Sequence, residues 1–262
     1  MATAYAVVSG KGGVGKSTLA ANVAAALARM GKAVCLVDVD IGLRSQDVFF
    51  GLENQIVYDI VDVLEEVCEL KQALLRAPCG VALLPAAQMR DVSAVSCMGM
   101  EALVGQLKRQ FDFVLIDAPA GIGRGYRNAV CAADSAILVT VPETVSLRDA
   151  ERVKGLLERE GVAKPSFALN RATWRNGAKD APVSFARCEE VLQLPLLGVV
   201  PEDPRVGALA AAGKLAISEE TRAGRPSCAS RAASRAKACP WSTQGNPAFS
   251  SGFFSGSESC EI

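Results

Sequence analysis

The chain has 262 residues, half of them hydrophobic, with 28 basic and 28 acidic side chains and no histidine. That length suits one α/β domain with room for a tail, and the apolar content suffices for a sizeable core. Zero formal charge argues against a global field for polyanions. The lack of histidine removes the commonest general base and the commonest metal ligand. Any chemistry must rest on carboxylates, lysines and backbone N–H groups.

In chain order, the pattern opens with an apolar run over residues 4–9, a predicted strand, and a helical run over 17–30 closed by Gly31. Between them lie Gly10, Lys11, Gly12, Gly13, Val14, Gly15, Lys16, Ser17 and Thr18, of which Gly10, Gly15, Lys16 and Ser17 fit G-x-x-x-x-G-K-[ST]. The glycines allow backbone conformations closed to other residues, so successive N–H groups form an anion nest. The helix behind adds its orphan donors and positive dipole end. Lys16 can then reach the outer phosphates of a nucleotide, and the Ser17 hydroxyl can sit on Mg²⁺.

A continuous apolar run at 33–40 reads as a buried parallel strand that delivers Asp38 and Asp40 at its C-terminal end, where open α/β sheets bind ligands. The polar, glycine-containing stretch 41–47 follows as a nucleotide-sensing loop. A helix is predicted from 56 to 64 and a short one at 70–75, with Pro78 and Gly80 as breakers. Residues 81–85 form a strand and 101–110 an amphipathic helix. The apolar run from Phe113 ends in Asp117, a Walker B pattern whose carboxylate binds Mg²⁺ directly or through its water. Gly121, Gly123 and Gly125 suggest a second switch loop. Residues 135–141 are a further strand, Ser146 is expected to cap a helix over 147–160, and 166–171 is a strand ending in Asn170 and Arg171. The last strand, from 197, exits through Pro201, Glu202 and Asp203 into a helix at 205–212. This alternation gives an α/β P-loop NTPase: a doubly wound, mostly parallel sheet flanked by helices.

Lys11 inside the loop goes beyond the general motif. The run Lys-Gly-Gly-Val-Gly-Lys-Ser-Thr resembles the deviant P-loop of the MinD/ParA family of ATPases. The stretches Asp40-Ile41-Gly42-Leu43-Arg44, 51–53, 56–63 and Pro85-Ala86-Ala87-Gln88-Met89-Arg90-Asp91 extend the likeness to the family's division-site members, over roughly residues 2–220. Those members usually place asparagine where Ser45 stands and glutamate where Gly123 stands. The resemblance implies an ATP-dependent homodimer that hydrolyses ATP with Mg²⁺. In it Lys11 crosses to the partner's nucleotide, Lys16 stabilises phosphoryl charge and Asp40 orients the attacking water. Ser17, Asp38 and Asp117 serve the metal, while Asn170 and the segment Pro201, Glu202 and Asp203 meet the adenine. The implied role is placement of the division septum. The implied partners are a division inhibitor, an ATPase-activating topological-specificity protein and a membrane surface. A flagellar-number regulator or a DNA-binding partition ATPase shares most of these motifs; net neutrality disfavours DNA.

Nine cysteines (Cys35, Cys68, Cys79, Cys97, Cys131, Cys188, Cys228, Cys239 and Cys260) are scattered and form no C-x-x-C pair. They read as reduced thiols of a cytosolic protein. A cluster carrier in the manner of the nitrogenase iron protein, a relative in this fold, would pair two such as Cys97 and Cys131, but their surroundings do not match its pattern. No signal peptide is expected ahead of Ala2, and no apolar run nears the roughly 18–20 residues of a bilayer span. The ATPase domain is expected at 1–221. Residues 222–262 lose all periodicity in favour of Ser, Ala, Gly, Pro and Cys, as a disordered tail does. Phe249, Phe253 and Phe254 lack the basic face of a membrane-binding amphipathic helix. The abrupt change suggests a reading-frame shift in the coding sequence, which the gene's other frames would test. This tail predicts weak autonomous membrane affinity.

Overall fold

The structure, a computed structural model, describes residues 2–177 and 183–218. The tail expected from residue 222 lies outside the described residues, as does the 178–182 segment. The first half of the chain runs β1 (Thr3–Val8), α1 (Lys16–Arg29), β2 (Val34–Asp38), α2 (Gln46–Phe50), α3 (Ile60–Leu64), α4 (Leu70–Ala73), β3 (Leu75–Arg76), β4 (Ala82–Leu84) and α5 (Cys97–Leu107). The second half runs β5 (Phe113–Asp117), α6 (Arg124–Cys131), β6 (Ser135–Thr140), α7 (Thr144–Arg159), β7 (Ser166–Ala172), α8 (Phe185–Leu192), β8 (Leu196–Pro201) and α9 (Arg205–Ala211).

Eight strands form one sheet in the order β3-β4-β2-β5-β1-β6-β7-β8. Every neighbouring pair is parallel except β3 with β4. The apolar runs are continuous because both faces are covered. Ala4, Ala6 and Val8 of β1 point into a core closed by α5, α6, α7 and α8. Tyr5 and Val7 point the other way, onto the alanine stripe of α1 (Ala20, Ala21, Ala24, Ala25). This two-residue alternation about a central strand is the doubly wound arrangement expected from the sequence.

Several local expectations are corrected. The helix predicted from 56 begins only at Ile60. Asp59 accepts from the N–H groups of Val61 and Asp62, and the Asp62 carboxylate accepts from Asp59 N–H, so a capping box fixes the start. The helix at 70–75 stops at Ala73, and Leu75 and Arg76 turn into an antiparallel edge strand on β4. α5 starts four residues ahead of the predicted 101, capped by the Ser96 hydroxyl, which accepts from Gly99 N–H. Ser146 is no cap. α7 begins at Thr144 after Glu143, and Ser146 is buried within its first turn. The glycine-rich stretch after Asp117 is a loop only as far as Gly123; Gly125 already lies in α6. α6 and α8, eight residues each, have no counterpart in the sequence reading, because runs that short give periodicity little to act on.

Candidate active site

The sheet brings the predicted carboxylates together. Asp38 pairs in register with Asp117 on the adjacent strands β2 and β5, both fully buried at the C-terminal edge of the sheet. Beside them the loop from β1 ends at Gly15, which is left-handed (φ 83°) and stands at the N-cap of α1 with no side-chain cap. Lys16, buried, donates to Asp117 Oδ1 at 2.6 Å and to Ser17 Oγ at 3.1 Å. One ammonium thus faces two buried carboxylates. The Asp117 carboxylate and the Ser17 hydroxyl, side by side at Lys16, offer the oxygen ligands that a hard divalent cation takes.

Asp38 has a definite job in this geometry. Its Oδ1 accepts from Asp40 N–H, and its Oδ2 from the N–H groups of Ser45 and Gln46, each at 3.0 Å. It pins both ends of the loop that carries Asp40. Burial foremost, then the neighbouring Asp117, pushes the Asp38 carboxyl up to about 7, against those three donors. Asp40 is half-buried at the mouth of the site. Desolvation raises its carboxyl above the ordinary range; Lys16 opposes the rise and Asp117 adds to it. Its carbonyl closes a turn by accepting from Leu43 and Arg44 N–H.

Gln46 is a residue that the sequence reading passed over. Its fully buried side chain donates from Nε2 to Asp117 Oδ2 at 2.6 Å and to the Ser17 carbonyl at 3.1 Å. It therefore ties the sensing loop to both the Walker B carboxylate and the start of α1. Its only sequence signal is its place two residues ahead of the apolar run Val48-Phe49-Phe50. Gly10 also has a role the motif does not state. A Cβ there would meet the Asp149 carbonyl oxygen of α7 at 2.6 Å, so this glycine lets a helix backbone pack against the loop.

The other predicted residues divide between rim and pocket. Lys11, Gly12 and Gly13 are exposed, and Val14 is buried. Asn170 donates from Nδ2 to the Val14 carbonyl at 2.8 Å, which fastens β7 to the phosphate loop. Thr18, Asn22, Asn170, Pro201, Glu202 and Asp203 line a cavity of about 460 Å³ whose far wall is α9. That size suits a nucleoside. Glu202 is paired with Arg171, and Asp203 holds Arg205 through both oxygens. These carboxylates shape the rim, and Asp203 also accepts from Arg205 N–H at the start of α9. The phosphate loop and the cavity are continuous through Gly13 and Gly15.

Relatives carry the same organisation. The family model ParA, described as NUBPL iron-transfer P-loop NTPase, matches residues 1–234. The septum site-determining protein MinD of Synechocystis sp. is 46% identical over 217 residues, 82% of this chain and 81% of the relative. MinD of Bacillus subtilis is 47% identical over 210 residues, 79% of this chain and 78% of that one. Among solved structures, the MinC:MinD cell division complex of Aquifex aeolicus superposes with a TM-score of 0.78 at 38% identity, over 86% of this chain and 90% of that one. MinD from Pyrococcus horikoshii complexed with Mg-ADP gives 0.77 at 31% identity, over 86% and 92%. No helix among the described residues is long and apolar enough to cross a membrane. With a phosphate loop, paired buried carboxylates and a nucleoside-sized cavity on one sheet edge, and with these relatives, the chain belongs to the ParA family of P-loop NTPases, in its MinD group.

Proposed function

We propose that this chain is an ATP-hydrolysing, dimerising switch that takes part in placing the division septum. The observation that carries the reading is the buried cluster in which Lys16 bridges Asp117 and Ser17 beneath the phosphate loop. ATP is the substrate: the backbone N–H groups of residues 10–18 cradle its phosphates and its nucleoside enters the cavity between Thr18, Asn170 and residues 201–203. Lys16 exchanges Asp117 for phosphate oxygen. Ser17 and Asp117 are the donors best placed to hold Mg²⁺, which would supply neutralisation of the β- and γ-phosphate charge. Asp38 acts by holding the loop, and Gln46 by fixing the orientation of Asp117. Asp40, half-buried and carboxylate-bearing, positions the attacking water.

Lys11 lies exposed on the rim. A second copy of this chain, docked over the nucleotide, would receive it as a charge-stabilising finger. Support for the division role comes from the relatives' names, and the MinC:MinD complex suggests a MinC-type partner for this chain too. Release of phosphate frees the 40–46 loop and the loop after Asp117, which dissolves the dimer. An ATPase-activating partner and a membrane surface complete the cycle proposed here.

Steady-state ATP hydrolysis with and without lipid vesicles and a MinC-type partner tests this reading. Lys11→Ala is expected to leave ATP binding by the single chain intact and to lower turnover about 10³-fold, the low end for such fingers. Unchanged turnover would remove the trans role. Stimulation by DNA alone would move the function to partition.

A further inference from the structure

Outside the nucleotide site, two thiols that lie 34 positions apart in the sequence meet on one surface. Cys97 is the first residue of α5 and Cys131 the last of α6, and both are partly exposed. Asn128 organises them. Its buried side chain donates from Nδ2 to the Val95 carbonyl at 2.9 Å, and its Oδ1 lies 3.7 Å from Cys97 Sγ. Its carbonyl lies 3.3 Å from Cys131 Sγ. The Arg127 carbonyl, 3.8 Å away, is a second acceptor for Cys97. Both thiols thus lie against the same residue, Asn128, and Cys131 has Cys97 as a near neighbour. The other described cysteines are placed differently: Cys35 and Cys188 are buried in the core, and Cys68 and Cys79 lie apart on other elements.

We propose that Cys97 and Cys131 are a redox-modification site, a dithiol that a small-molecule disulfide such as oxidised glutathione converts to an intramolecular bridge. Cys97 is the attacking thiol, since burial disfavours the thiolate of Cys131. It loses a proton and displaces one thiolate from the small disulfide, forming a mixed disulfide on Cys97 Sγ. Cys131 then loses its proton and attacks Cys97 Sγ, displacing the second thiolate. The protein gives up two electrons and two protons, and the oxidant leaves as two thiols. Burial foremost, then the neighbouring Cys97, pushes the Cys131 thiol up to about 12. It stays protonated, as a resolving thiol does, until the mixed disulfide is in place. Among the described residues no group of three ligating side chains includes the pair. The bridge would tie the end of α6 to the start of α5, and α6 follows directly on the loop after Asp117.

The test uses the full chain, reduced, then exposed to oxidised glutathione, quenched and mapped by mass spectrometry after trypsin. Cleavage after Arg90, Lys108, Arg127 and Arg148 places each cysteine alone on a peptide, residues 91–108 and 128–148. The expected product is that pair of peptides linked within one chain. It should form at least about tenfold faster in the folded protein than in denaturant, since the fold pre-positions the thiols. Cys97→Ser and Cys131→Ser should each abolish it while circular dichroism shows the fold retained. Glutathione adducts without a bridge, a bridge between chains, or equal rates in folded and denatured protein would each overturn the proposal.

Discussion

Gly15→Ala is the substitution whose effect the structure specifies most closely. An alanine there must adopt φ 83°, a left-handed conformation that costs an ordinary residue about 1–2 kcal/mol. Its Cβ would also collide with Asn170 Nδ2. Asn170 must then move and give up its 2.8 Å bond to the Val14 carbonyl, a loss of about 0.5–1.5 kcal/mol. Together the variant should be destabilised by roughly 1.5–3.5 kcal/mol before any nucleotide is considered. Denaturant unfolding without nucleotide measures this directly, and a double-mutant cycle with Asn170→Ala separates the two parts. Removing the Asn170 side chain relieves the steric part and leaves the backbone part. The double variant should therefore lose less than the sum of the singles, by about 1 kcal/mol. Strict additivity would refute the contact between these side chains, and a cost under about 0.5 kcal/mol would refute the strained backbone as well.

Gly10→Ala should destabilise by about 1–3 kcal/mol through overpacking against the α7 backbone at Asp149, seen as a lower denaturation midpoint; a neutral outcome would mean that α7 is not held against the loop. Gln46→Leu keeps the volume but leaves Asp117 Oδ2 and the Ser17 carbonyl without this donor, so unfolding should become easier by about 1–3 kcal/mol and the dependence of nucleotide binding on Mg²⁺ should change. Unaltered binding and stability would show that Gln46 only fills space. Asp38 gives a pH signature. Its folded carboxyl keeps a proton up to about 7, whereas the unfolded one gives it up in the ordinary carboxylate range. The folded state thus binds the extra proton within that window, and stability without nucleotide should fall as pH rises from 5 to 8. Asp38→Asn should flatten that slope; an unchanged slope would place the titration elsewhere.

The sequence carried the parts of the site that depend on local chemistry. A strand, a glycine-rich loop, a lysine and a hydroxyl residue in fixed spacing are legible because the chain itself supplies the anion nest at the head of α1. Asp117 was legible too, because an apolar strand ending in a carboxylate puts that group at the sheet's ligand-binding edge. The division between the two cores follows from alternation along each buried strand, and the fold class followed from strands alternating with helices. Boundaries were less legible where a single capping side chain decided them. Asp59 and Ser96 each moved a helix start, and periodicity is blind to such contacts.

Other assignments needed the tertiary structure. Gln46 looked like one more polar loop residue until α2 folded back and set its amide between Asp117 and Ser17. Asp38 read as a metal candidate; the fold gives it three backbone donors and hence the work of holding a loop. The sequence named Cys97 and Cys131 together only for a cluster pattern that their surroundings do not match; the structure brings both thiols against Asn128. In each case the relevant neighbour lies far along the chain or on another element, and spacing in one sequence encodes no such distance. The sequence by itself determined a phosphate-binding loop on a doubly wound sheet. Only the packing of helices over that sheet decided which polar groups face the loop, which brace it, and which stand apart from it.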